Sequence, residues 1–214
     1  MNSTQENKNV WNKLYSENKS IMQYPNENLV IISNYFLDEN DKIILDLGFG
    51  SGNNLIFFKK IGKNVYGAEI SQEAINFTKR RISDENIELK LIINDKIDYH
   101  ENFFDVVVAW QSICYNTYDN LMKNLNEIKR ILKPNGKFII TLIKKEDSIF
   151  DICEKIGNND YRVNSSNQKG AIIFLANDEN EIKNIFKDFK NVNIGYFEHK
   201  LNNIGSHWVI YGMN

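Results

Sequence analysis

The chain has 214 residues, with 26 Lys and Arg against 28 Asp and Glu and a formal net charge of −2. That length suits one sizeable α/β domain with a full core and leaves little room for two. The near balance of charge provides no field to recruit nucleic acid or an anionic membrane, so neither is an expected partner.

Val10, Trp11, Leu14 and Tyr15 recur at helical spacing and predict a short amphipathic helix over 5–18. Ile21, Met22 and Tyr24-Pro25 form an extended connector, because the residue before proline is pushed out of the α region. A helix follows over 26–37. Ile43, Ile44, Leu45 and Leu47 then make the short apolar run of a strand buried on both faces, broken by Gly48, Gly50 and Gly52. Glycine at that spacing lets the backbone turn tightly and lets a ligand lie against bare chain, while the helix expected over 53–61 turns its free N–H groups toward the loop.

Strand and helix alternate from there. Val65–Glu69 reads as the second strand, with Ser71 as N-cap of a helix reaching about residue 83. Strands follow at 89–93 and 104–109, then a helix carrying Leu121, Leu125, Ile128 and Ile131, a stop and turn at Lys133-Pro134-Asn135-Gly136, and a fifth strand over 137–143. In the segment from 144 to 170, Ile149, Ile152, Cys153 and Ile156 suggest a helix, and 157–169 reads as a polar loop. Such an insert is expected to act as a lid. Residues 171–175 look extended, 178–189 helical, and 192–197 with 208–211 look like a closing hairpin. This alternation predicts one doubly wound, mostly parallel sheet.

The loop discriminates among cofactors. A dinucleotide fingerprint counted from Gly48 requires glycine where Asn53 stands, which disfavours a nicotinamide-dependent oxidoreductase, and no Gly-Lys-Ser/Thr follows to make a P-loop. The run Asp46-Leu47-Gly48-Phe49-Gly50-Ser51-Gly52 resembles motif I of the class I S-adenosylmethionine (SAM)-dependent methyltransferases. Phe104–Tyr115 resembles motif IV of that family, and Arg130–Phe138 resembles the helix, turn and strand that follow it. The resemblance spans 42–143 and thins on both sides. It implies a Rossmann-like, seven-stranded, mostly parallel sheet with an antiparallel last strand and an N-terminal helical cap. The single methyltransferase domain divides into a cap at 1–41, a SAM-binding core at 42–143, an insert at 144–176 and a C-terminal helix and hairpin at 177–214.

The resemblance also implies a binding set. Asp46, Gly48, Phe49, Gly50, Gly52 and Asn53 form the loop. Glu69, 21 positions after Gly48 and ending the second strand, offers a carboxylate to vicinal ribose hydroxyls. Ile70 lies against the purine. Asp95 takes the adenine amino group, with the amide of Lys96 or Ile97 beside the ring; Asp98 is the competing choice for the carboxylate. Trp110 and Gln111, just past the fourth strand, sit beside the methionine part. From the cap, Tyr15 and Tyr24 could bond the cofactor carboxylate or the acceptor, or simply pack. His199 and His207, near the hairpin turn, are candidates for catalysis where the acceptor arrives protonated.

The expected activity is methyl transfer from SAM to an O or N atom of a small polar metabolite or sugar-derived intermediate, releasing S-adenosylhomocysteine (SAH). The alternative is a silent SAM-binding regulatory or assembly protein. Cys114 and Cys153 lack any Cys-x-x-Cys spacing and read as free thiols of a reducing compartment, with no metal site expected. The opening residues lack an apolar signal core, so a cytoplasmic protein is expected, monomeric or homodimeric.

Overall fold

The computed structural model describes residues 3–82 and 86–214. The end of the helix expected to reach residue 83 lies partly outside them. Five parallel strands form the frame: β1 (Ile43–Leu47), β2 (Asn64–Glu69), β3 (Glu88–Leu91), β4 (Phe104–Ala109) and β5 (Leu132–Lys144). Their order in the sheet is β3-β2-β1-β4-β5. Valines and isoleucines dominate β1 and β4 because both faces of these central strands are covered; Ile44, Leu45, Val106, Val107 and Val108 are wholly buried.

Helices α1 (Ser3–Ser16), α2 (Glu27–Phe36), α3 (Asn53–Lys60), α4 (Gln72–Arg81) and α5 (Tyr118–Ile131) connect or cover these strands. Their starts follow the local chemistry. Asn26, Ser71 and Thr117 each accept a hydrogen bond from a first-turn amide, whereas α3 starts at Gly52, in a left-handed conformation with no side-chain cap. Two apolar cores lie against the sheet, one around Val107, Leu125, Ile128 and Phe138, the other around Ile44, Phe49, Phe58 and Val106.

β9 (Lys190–Lys200) and β10 (Ile204–Met213) form the closing hairpin, with β10 antiparallel to β5 from His207↔Ile143 to Met213↔Lys137. These seven strands are the expected frame, antiparallel strand included. The turn expected at Pro134-Asn135-Gly136 is present as a bulge within β5. Phe104 and Val106 face Leu132 and Lys137, and Asn135 takes a left-handed φ of 62°.

The insert differs from expectation. After Lys144 the chain makes a single 3₁₀ turn (Ser148–Ile152) and then two short strands, β6 (Cys153–Lys155) and β7 (Asp160–Val163). These pair antiparallel with each other and with β8 (Ile172–Ala176), which joins β5 at Ile143↔Leu175. The insert therefore extends the sheet to ten strands. No α-helix forms there because β8 would otherwise leave an open row of backbone groups, and β7 satisfies it. Helix α6 (Glu179–Ile185) then leads into β9. Among the described residues no helix is long and apolar enough to cross a membrane, and no group of three His, Cys, Asp or Glu could hold a metal.

Candidate active site

At the carboxyl ends of β1, β2 and β4 the chain opens two adjoining cavities. The smaller, about 100 Å³, lies among Gly48, Gly50, Glu69, Ile70, Asp95 and Ser112; the larger, about 600 Å³, reaches toward the insert and the hairpin. Trp11, Tyr15, Gly48, Gly50, Gln111 and Tyr115 line both.

The glycine loop is shaped by contact. Gly48 and Gly50 have φ of 74° and 53°, and a Cβ on either would collide with Ser112 or with the Tyr15 hydroxyl. Ser112 donates to the Leu47 carbonyl at 2.7 Å and fixes the distance between the loop and the end of β4. The Phe49 side chain turns inward over Gly67, so only its backbone faces the cavities. Asn53 donates to the Tyr24 carbonyl at 3.2 Å and ties the loop to the connector.

Glu69 is buried, and its carboxylate accepts from the amides of Gly50 (3.0 Å), Ile70 (2.7 Å) and Ser71 (2.9 Å). Burial raises its pKa and these three amides oppose the rise. Asp46 is buried more severely. Neither of its oxygens has a hydrogen-bond partner, and burial pushes the carboxyl up to about 7, with the Asn54 side chain opposing and the Glu69 charge adding to the rise.

Asp95 has a left-handed φ of 60°, lines the smaller cavity and accepts from the Thr4 hydroxyl at 2.5 Å. Asp98, the competing carboxylate, faces Lys90 at the surface, 83% exposed, and Lys96 is exposed and lines neither cavity. Ile70 lines the smaller cavity and Tyr15 both; burial raises the Tyr15 phenol well above its ordinary value. Tyr24 does not join the site. Held in the extended connector before Pro25, its side chain is 80% exposed and only its carbonyl is engaged.

Trp110, Phe197 and His207 form a parallel stack, with centroid separations of 5.5 and 5.3 Å and interplanar angles of 6° and 3°. The Trp110 Nε1 is buried without a partner. His207 Nε2 lies 3.3 Å from Gln111 Nε2, and its Nδ1 lies 3.7 Å from Asp147 Oδ2. Burial pushes the imidazole pKa down to about 4, with Asp147 opposing and His199 reinforcing the shift. His199 packs across Gly205 and lines the larger cavity.

Other contributors have no motif to announce them. Helix α1 roofs the smaller cavity: Asn7 bonds Ile172 N at 2.8 Å and Tyr115 O at 2.6 Å, Asn12 accepts from Ser71 Oγ at 2.8 Å, and Glu6 pairs with Arg162 at 2.8 Å. Arg81 donates to the carbonyls of Met22 (2.6 Å), Gln23 (2.7 Å) and Ser51 (2.8 Å), clamping the connector onto the loop. Asp147 caps the 3₁₀ turn at Ile149 N and accepts from Ser206 N, both near 2.9 Å (2.9 and 2.8 Å).

This sheet order, with its glycine turn, its acidic residue ending β2 and its crevice at the strand ends, defines the class I methyltransferase fold. Residues 45–140, a little under half of the chain, match the family described as "Methyltransferase domain", and over that segment the chain is similar to class I, SAM-dependent methyltransferases. The phosphoethanolamine N-methyltransferase of Plasmodium falciparum is 27% identical over 169 residues, covering 75% of this chain and 62% of that protein. A ribosomal protein L11 methyltransferase of Dictyoglomus turgidum is 34% identical over 105 residues, covering 48% and 33%. The chain thus spans less than two thirds of these relatives' length, 62% of the first and 33% of the second. A SAM-dependent methyltransferase structure from Anabaena variabilis superposes with a TM-score of 0.74 at 15% identity, covering 100% of this chain and 96% of that one.

The residues present suit SAM. Gly48 and Gly50 leave room only for bare backbone, the buried Asp46 carboxylate is without a partner, and Glu69 ends β2 beside the loop.

Proposed function

We propose that the protein transfers a methyl group from SAM to an O or N atom of a small polar acceptor and releases SAH. The observation that carries this reading is the pair of adjoining cavities with a common wall at Gly48, Gly50 and Gln111: one beside Glu69 and Asp95 for the nucleoside, one for the acceptor. SAM when bound supplies an electrophilic methyl on a sulfonium. Glu69 would hold the ribose diol, Asp95 the adenine amino group in place of its Thr4 partner, and Asp46 the cationic amino-acid end. The stacked Trp110 and Phe197, with Gln111, hold the wall through which the acceptor is aligned, and the α1 roof keeps water out. Alignment of this kind contributes several kcal/mol to such transfers, on the order of 7 or more in well-oriented cases. The named relatives include a phosphoethanolamine N-methyltransferase and ribosomal protein L11 methyltransferases; the larger cavity, about 600 Å³, has room for a small acceptor here.

The test is calorimetric titration with SAH and, separately, with NADH. SAH is expected to saturate a single site, and NADH to give no heat. Glu69→Gln should weaken SAH about tenfold and Glu69→Ala about a hundredfold, in line with lost charge-assisted hydrogen bonds. Circular dichroism verifies that both variants fold. A protein indifferent to millimolar SAH would sink the reading.

A further inference from the structure

Resting on that reading, we propose that the larger cavity selects small amines as acceptors and rejects carboxylates and phosphate esters. Among the described residues lining it there is no Lys or Arg, while Asp147 contributes a carboxylate. Three cations of neighbouring segments are engaged elsewhere. Lys144 Nζ sits 3.9 Å over Tyr196 and 4.4 Å over Trp208, Arg162 is paired with Glu6, and Arg81 is bonded to three carbonyls. His207, held neutral by its burial, adds no positive charge near pH 7. An anionic acceptor would therefore lose hydration without gaining a counter-charge, next to a carboxylate.

For an amine the same lining is favourable. Trp11, Tyr15 and Tyr115 offer aromatic surface along the wall common to the cofactor side, and Trp110 adds to it within the larger cavity, where a cation is stabilised by ring faces. The transfer itself moves positive charge into this cavity. The lone pair of the neutral amine forms the N–C bond as the S–C bond breaks with its electron pair left on sulfur. The charge passes from sulfonium to nitrogen, and the extra proton leaves the methylated ammonium to solvent. An amine that arrives as its ammonium gives up a proton to solvent before its lone pair can attack, and Asp147 stabilises both that cation and the methylated one.

The experiment uses the full chain saturated with SAH. Alkyl and aryl amines are titrated against carboxylates and phosphate monoesters of matched length, and turnover with SAM is followed by SAH release. Amines are expected to bind about tenfold tighter than the matched anions. Asp147→Asn should erase the preference without changing SAH affinity. Because Asp147 also caps a turn, a second variant is needed: Asn167→Lys, at an exposed loop position lining the same cavity, should weaken amines and strengthen anions. Anions binding as tightly as amines, or no amine binding at all to protein that does take up SAH, would overturn the proposal. Failure to bind SAH would instead remove the methyl-transfer reading beneath it.

Discussion

Asp46 and His207 titrate in opposite senses. Asp46, raised to about 7 in the fold, holds its proton there while the unfolded chain has released it, so its contribution to stability is full below about pH 4 and is lost as pH rises through 7. His207, lowered to about 4, stays neutral in the fold while the unfolded chain binds a proton, so its contribution is present above about 6.5 and is lost as pH falls through 4. Asp147, His199 and Gln111 are the polar groups facing that ring. Asp46→Asn removes only the first slope. The stability gained by this variant over the parent, measured by urea unfolding, should grow by about 1.4 kcal/mol per pH unit between pH 4 and 7 and level off above. A flat difference would show that Asp46 is ionised in the fold. His207→Gln should leave the parent's stability at pH 8 nearly unchanged and lessen its decline below pH 6.

Helix α1 and the insert act as elements rather than as single groups. Asn7, fully buried, both donates to and accepts from the Ile172 backbone and also bonds Tyr115, so it fastens the roof to β8. Asn7→Ala strands two or three backbone groups and should cost about 2–4 kcal/mol in unfolding free energy. Faster SAH dissociation in stopped-flow measurements should accompany it. The parallel core was legible because strands covered on both faces must be apolar runs, and because a turn that brings backbone against a ligand must be glycine. Ile43–Leu47, Val106–Val108 and the Gly48-Gly50-Gly52 spacing carry both constraints in a few consecutive letters. The insert was not legible, since β6 and β7 form by pairing with an exposed strand edge and their residues carry no burial period of their own. Asp147 was hidden for a similar reason. Its partners, Ser206 and His207, lie some 59 and 60 positions away, and only the fold of β10 on β5 joins them.

For the molecule as a whole, the cavities sit where five strands, the roof and the hairpin converge, so a ligand there is coupled to global unfolding. With SAH at a hundred times its dissociation constant, stability should rise by about 2.7 kcal/mol, a melting shift of roughly 5–10 °C for a domain of this size. The same experiment with Glu69→Ala should show almost no shift. A wild-type shift of less than a degree at saturation would place SAH elsewhere.

Trp11 and Tyr15, one helical turn apart on α1, border both chambers at once. Under the proposed function, donor and acceptor are thus confined by one and the same cover. Changes made along that face of the helix should move the Michaelis constants of the two substrates together, whereas changes in the insert can retune the acceptor alone. New acceptor preferences are then most readily gained from the β-hairpin and insert side, with the N-terminal helix left as it is.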